Sequence, residues 1–334
     1  MNQLKVAVIG VGHLGKLHAK LYKQVENAHL TGVYDTDIEK AEQISLELDC
    51  KAYKDISELF SEANAVNIVT PTSSHYEIAK MALLKKKHVF IEKPVTKTSE
   101  QASDLIRLAK EQNCKIQVGH IERFNAAMLA LEDVTVNPVF VEAHRLASFN
   151  PRGTDVAVIL DLMIHDLDLI LHLVKSKPAK VDASGVGVVS SNIDIANARI
   201  EFENGCVANV TASRISAKKM RKMRIFQKNA YISLDFSDGF SEIFYLPEPD
   251  QTAFKDSSFA FSLGQIDAGE QKREIKYTKL ERKNVNPLLN ELQSFCNAVI
   301  SNTDVPVSAE DGLQALELAN AVLDQIAKHQ LRVK

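Results

Sequence analysis

Leu4-Lys5-Val6-Ala7-Val8-Ile9, followed at once by Gly10-Val11-Gly12-His13-Leu14-Gly15, is the stretch on which the fold turns. The first six residues form an apolar run of strand length, and Leu14, Leu17 and Leu21 then recur at helical spacing, predicting a buried strand, a glycine turn and a helix packed through that leucine stripe. In such a unit the three glycines have separate tasks: a tight turn, close approach of a pyrophosphate to the backbone, and close packing of helix on strand. The unpaired amides at the helix start, those of His13 and Leu14 among them, then face an anion. The flanking periodicities turn a short glycine pattern into a dinucleotide-binding signal.

A second strand is expected over Leu30–Tyr34, and Asp35 follows it. A carboxylate there accepts hydrogen bonds from a ribose diol and repels a ribose phosphate, which favours NAD, with NADP as the alternative. The competing reading makes Asp35 the cap of the next helix. Strand and helix alternate through Ala65–Val69, Tyr76–Leu84, Val89–Ile91, Leu105–Ala109 and Ile116–Val118, with Thr98 and Gln101 as a capping pair. The pattern predicts a mostly parallel, doubly wound domain over residues 1–120. Thr70-Pro71-Thr72-Ser73-Ser74-His75 reads as a loop at the ligand end of a strand, where Thr70, Pro71, Thr72 and His75 either contact the cofactor or organise the turn. Glu92-Lys93-Pro94 ends the next strand, placing Lys93 to donate to a substrate oxygen or simply to be solvated.

Further on, Asp161-Leu162-Met163-Ile164-His165 and Asp168 bring two carboxylates beside a histidine; on an α-helix, Asp161 and His165 share a face. The carboxylates would orient His165 and raise its basicity for proton exchange with a hydroxyl; the alternatives are a local cap and a satisfied core histidine. No HExxH or Cys/His zinc framework is present, so no metal is expected.

Together GVGHLG, TPTSSHYEIA, EKP and DLMIHDLD resemble the Gfo/Idh/MocA oxidoreductase family over essentially the whole chain. The resemblance implies an α/β Rossmann-like NAD-binding domain, then a second α+β domain for substrate and oligomerisation with a mixed or largely antiparallel sheet. It implies that Lys93 binds the substrate oxygen, His165 exchanges the proton, Asp161 holds His165, and Asp168 stands behind them. Glu92 joins the cofactor-binding set, and a cis peptide before Pro94 is expected. Met163 stands where the family commonly has glycine, which should narrow or redirect local packing. GHIERFN and DLMIHDLD further resemble the family's nucleotide-sugar branch, implying oxidation of a sugar hydroxyl with UDP-N-acetylglucosamine, at its 3-hydroxyl, as the expected substrate. The alternatives are a free-sugar or inositol dehydrogenase, a related carbohydrate reductase, or a noncatalytic nucleotide-binding regulatory protein.

Residues 121–334 form the expected second domain, its C-terminal helices packing back toward the first. His120, Arg123 and Asn125 line a crevice or serve as hinge and interdomain salt bridge, whereas Arg145 and Arg152 are candidates for a substrate anion or mere surface charge. Asn204-Gly205 and Asp238-Gly239 read as turns between strands, and residues 287–300 and 309–326 as helices, the latter capped by Ser308. The basic run Lys218–Arg224 reads as a solvated or subunit-contact face, because a net charge of -3 argues against a nucleic-acid partner. No stretch approaches the roughly 18 apolar residues of a membrane span. Four scattered cysteines form no metal or redox pair. A cytoplasmic homodimer or homotetramer with no membrane partner is expected.

Overall fold

The computed structural model describes residues 3–150, 156–247, 260–268 and 271–331. The chain divides into two compact units, residues 1–121 with 286–316, and residues 122–285 with 317–334. The second stretch is therefore not continuous: residues 286–316 belong to the first unit.

The first unit opens with β1 (Leu4–Ile9), α1 (His13–Tyr22), β2 (Ala28–Tyr34), α2 (Ile38–Leu48), β3 (Lys51–Ala52), α3 (Ile56–Glu62) and β4 (Ala65–Ile68). It continues through α4 (Thr72–Leu84), β5 (His88–Glu92), α5 (Ser99–Gln112) and β6 (Ile116–Gly119). Every strand pair is parallel and the order is β3-β2-β1-β4-β5-β6, the doubly wound arrangement with its switch between β1 and β4. β1, β4 and β5 are almost entirely buried, as strands covered on both faces must be.

The buried face of α1 is Gly15, His18, Ala19 and Tyr22, not the expected leucine stripe; Leu14 and Leu17 are each 42% exposed. Gly15 sets this rotation, because a Cβ there would lie 1.8 Å from the carbonyl oxygen of Gly10, so only a glycine edge fits against the strand. After the second unit, α8 (Pro287–Ile300) adds Leu288, Leu292, Phe295 and Cys296 to the core formed by Val6, Val8, Tyr22 and Phe90. Proline at its first turn and the Asn286 side chain, which accepts from Leu289 N–H, start this helix. Thr98 accepts from Gln101 N–H at 3.4 Å, and Ser308 from Asp311 N–H at 3.1 Å, as their capping roles predict.

The second unit begins with a 3-10 turn (Ile121–Phe124, its first residue in the first unit), α6 (Ala126–Leu129) and β7 (Phe140–Leu146), then a π-helical turn (Ile159–Met163) that runs directly into α7 (Ile164–Val174). There follow β8 (Pro178–Val186), β9 (Ile195–Phe202), β10 (Val207–Ser213), β11 (Met220–Gln227), β12 (Ala230–Asp235), β13 (Phe240–Tyr245), β14 (Phe261–Ala268) and β15 (Gln271–Glu281). The last helix, α9 (Ala309–Gln330), is divided between the units after Leu316. The sheet order is β14-β15-β13-β12-β11-β7-β10-β9-β8, antiparallel except for β7 beside β10. Strict alternation buries Val141, Ala143, Val210, Met223, Ile225, Ile232 and Ile243 on one face, where α7 packs. On the other, Phe140, Phe226, Tyr231, Phe244 and Tyr277 meet as successive cross-strand neighbours, 4.9 to 5.6 Å between ring centres. Gly205 and Gly239 adopt φ of 85° and 73° in the turns joining β9 to β10 and β12 to β13.

Among the described residues no helix is long and apolar enough to cross a membrane. The basic run lies largely on β11, and three of its five cations are paired, Arg221 with Glu122, Lys222 with Asp235 at 2.9 Å and Arg224 with Glu142 at 2.6 Å.

Candidate functional site

The glycine loop between β1 and α1 shows three different reasons for glycine. Gly10 has φ 86°, and a Cβ there would come within 2.8 Å of the Val69 carbonyl oxygen. Gly15 is excluded from carrying a side chain by the Gly10 carbonyl. Gly12 has neither reason: its φ of -62° suits any residue and a Cβ would meet nothing within 4 Å. Gly12 is the N-cap of α1 and no side chain caps that end. An open cradle beside uncapped amides at a helix start fits a dinucleotide pyrophosphate. His13 and Leu14 form the exposed first turn.

Asp35 stands at the end of β2 beside this loop, its Oδ2 accepting Val11 N–H at 2.8 Å and its Oδ1 accepting Asp37 N–H at 3.0 Å. The helix-cap alternative fails, since Asp37 caps α2 by accepting from Lys40 N–H. Asp35 is instead anchored to the glycine loop.

The expected loop after β4 is shorter than its sequence suggested, because α4 starts at Thr72 with Pro71 as its N-cap. Proline's fixed φ and missing N–H place it before a helix as readily as in a turn. Thr70 accepts from Ser74 Oγ at 2.8 Å. His75 is 1% exposed and its ring is not presented to a ligand: Nε2 lies 2.8 Å from the Thr70 carbonyl and Nδ1 2.9 Å from the Pro94 carbonyl. Burial pushes its pKa down against the raising effect of those two carbonyls. It ties the loop after β4 to the turn after β5, so its influence on a cofactor is indirect.

Glu92 and Lys93 end β5 and begin that turn, and the Lys93–Pro94 peptide is cis. Glu92 Oε2 accepts Lys93 N–H at 3.3 Å. His120, at the end of β6, is 1% exposed.

In the second unit, Asp161 lies in the π-helical turn and His165 in the first turn of α7, so the chain between them is not the regular α-helix that their spacing suggested. A π turn shifts the helical register and recurs at functional sites. Both side chains are partly exposed, while Met163 is fully buried and its extra bulk goes into the core of this unit. Asp166 and Asp168, two residues apart in α7, are buried in two arginine forks. Arg145 donates from Nε and one terminal nitrogen to Asp166, both at 2.8 Å, and from the other terminal nitrogen to Glu122 at 2.9 Å. Arg123 donates to Asp168 at 2.8 and 2.6 Å.

These contacts correct one expectation. Arg145 is 4% exposed with its fork closed on carboxylates, so it is neither surface charge nor available to a substrate anion. Arg123 pairs with Asp168 inside the second unit. Asn125 caps α6 and donates to Glu122 and to the Phe236 carbonyl. Arg152 lies outside the described residues. Sequence reasoning missed His18, fully buried on α1 with Nε2 3.1 Å from Glu92 Oε1; its place three residues after Gly15 was the available signal.

Residues 4–120 match the model described as oxidoreductase family, NAD-binding Rossmann fold, and residues 137–233 the GFO/IDH/MocA C-terminal domain. UDP-N-acetylglucosamine 3-dehydrogenase of Acidithiobacillus ferrooxidans is 42% identical over 246 residues, 73% of this chain and 78% of that one. The chain belongs to the Gfo/Idh/MocA oxidoreductase family. A solved structure of the same Acidithiobacillus enzyme superposes with a TM-score of 0.86 at 35% identity, covering 98% of each chain. Myo-inositol 2-dehydrogenase of Thermotoga maritima is 26% identical over 337 residues, 95% of each chain. As a member of this family the protein is an oxidoreductase with an NAD(P)-binding Rossmann domain.

Proposed function

We propose that this protein oxidises the 3-hydroxyl of UDP-N-acetylglucosamine to a ketone with NAD. The observation that carries the substrate is the 42% identity to a UDP-N-acetylglucosamine 3-dehydrogenase across 73% of the chain. Of the two arginines expected at the diphosphate, Arg145 is consumed by Asp166 and Glu122, which leaves that role to Arg152, outside the described residues.

Gly10, Gly12, Gly15 and the α1 amides would hold the cofactor pyrophosphate, and Asp35 its ribose diol, which favours NAD over NADP. NAD, when bound, supplies the hydride acceptor. His165 takes the hydroxyl proton, and Asp161 orients the ring and stabilises the imidazolium. Lys93 donates to the substrate oxygen as carbonyl character develops. The arginine forks on Asp166 and Asp168 hold the first turns of α7, and hence the backbone that carries His165.

Purified protein incubated with NAD and UDP-N-acetylglucosamine should produce NADH and a keto sugar two mass units lighter. His165→Gln should lower turnover about 10²- to 10⁴-fold while leaving NADH binding intact. Turnover of inositol or a free sugar, with none of the nucleotide sugar, refutes the substrate; normal turnover by a folded His165→Gln refutes the proton-transfer role.

A further inference from the structure

The face that α1 turns toward the sheet carries a polar side chain where the doubly wound fold calls for an apolar one. His18 is fully buried, and its ring packs edge-on against Phe90 on β5 with 5.7 Å between centres. Its two nitrogens reach two different strands. Nδ1 lies 2.8 Å from the amide nitrogen of Asn67 on β4, and Nε2 lies 3.1 Å from Oε1 of Glu92, off the straight line of a linear hydrogen bond. The Asn67 amide nitrogen also donates to the Tyr22 hydroxyl at 3.3 Å. Because Asn67 donates to Nδ1, the ring proton belongs on Nε2, the nitrogen that faces the carboxylate.

Glu92 is confined from its other sides as well. A Cβ on Gly119 of β6 would fall 2.8 Å from Oε1, so the strand backbone itself walls in the carboxylate. The second oxygen accepts Lys93 N–H. Among the described residues, the titratable groups that act on Glu92 are His18 from α1, His75 from α4 and Lys93 in its own turn, with the backbone of Gly119 against it from β6.

We propose that His18 is a positioning residue for the reaction: locked by Asn67, its imidazole holds the Glu92 carboxylate beneath the Lys93 amide and so fixes the turn that presents Lys93. This rests on the reading that Lys93 serves the substrate oxygen. Burial alone would push the Glu92 carboxyl up; His18, and after it the charge and amide of Lys93, bring it below the ordinary carboxylate range. A buried carboxylate that loses such a partner takes up a proton at higher pH, and a protonated Glu92 loosens its hold on the Lys93 amide and so on the turn that presents Lys93.

The test uses the full chain with selectively carboxyl-labelled glutamate, the Glu92 signal being assigned by its loss in Glu92→Gln. His18→Leu removes both contacts, while His18→Gln retains an N–H donor near the position of Nε2. Glu92 should titrate about one to two pH units higher in His18→Leu and within about half a unit of the original in His18→Gln. The acid limb of the turnover profile, measured with whichever sugar the original protein oxidises, should move in the same order. NADH binding confirms that each variant is folded; if His18→Leu is not, Asn67→Leu takes its place and should give a smaller upward shift. An unmoved Glu92 titration in the folded variant, or equal shifts in His18→Leu and His18→Gln, overturns the proposal. So does a titration that moves while the acid limb does not. If the original protein oxidises no sugar, the substrate reading fails by itself and the Glu92 titration decides the role of His18.

Discussion

Gly12 and Gly15 lie three residues apart in one motif, and the structure predicts that a methyl group on each weakens cofactor binding but that only one of them destabilises the fold. At Gly15 the new Cβ would lie 1.8 Å from the Gly10 carbonyl oxygen, where ordinary contact begins at 3.4 Å, so α1 must retreat by more than an ångström. A clash with a backbone atom belongs at the upper end of overpacking costs, about 2–3 kcal/mol, partly offset by the roughly 1 kcal/mol advantage of alanine over glycine in a helix. A net loss of about 1–2 kcal/mol lowers the melting temperature by roughly 2–8 °C for a unit of this size. The displaced amides should also weaken NADH binding by about tenfold to a hundredfold. At Gly12 the Cβ meets nothing within 4 Å, so the cofactor-free melting temperature should stay within about 2 °C. NADH affinity should nevertheless fall at least about tenfold, because the methyl occupies the space the pyrophosphate needs. Thermal scans without ligand and NADH titrations by fluorescence read both quantities. A folded Gly12→Ala protein that binds NADH as tightly as the original would refute the cradle. A Gly15→Ala protein with unchanged melting temperature would refute the packing argument.

Other substitutions separate the remaining roles. Replacing Asp35 with serine should reduce the preference for NAD over NADP, in competitive titrations at matched ionic strength, by about tenfold or more; an unchanged ratio would remove Asp35 from the discrimination. Arg145→Met leaves Asp166 without its buried partner, while Glu122 keeps Arg221, and should destabilise the protein by about 3–5 kcal/mol in denaturant titrations, whereas a stable variant with only a raised KM would restore the substrate-anion reading. Asp194 is buried and accepts from the backbone N–H groups of Val188, Val189 and Ser190 at 2.8 to 2.9 Å. Burial raises its pKa, but these bonds and that of the Ser190 hydroxyl hold it well below its ordinary 3.8. Its contribution is therefore complete above pH 3.8 and lost as the pH falls below that value. Asp194→Asn should cost on the order of 1–3 kcal/mol near neutrality, and the difference from the original protein should shrink in acid; a gap that persists or widens there would contradict the assignment.

The sequence by itself determined the elements whose causes are local. A strand-length apolar run, glycines at 10, 12 and 15 and an aspartate after the second strand sufficed for the nucleotide-binding architecture, because turn geometry and amide exposure depend on a few consecutive residues. Caps at Thr98 and Ser308 and turns at Gly205 and Gly239 were legible for the same reason. Only tertiary structure decided which face of α1 is buried, since that rotation follows from Gly15 meeting Gly10, and no periodicity of leucines reports it. It likewise decided the partners of Arg145 and Arg123, whose carboxylates lie 21 to 45 residues away in sequence. The placement of residues 286–316 with the first unit rests on apolar contacts made across the length of the chain. A charge in a sequence declares what it can bind; whether it remains available depends on which opposite charge the fold delivers to it first.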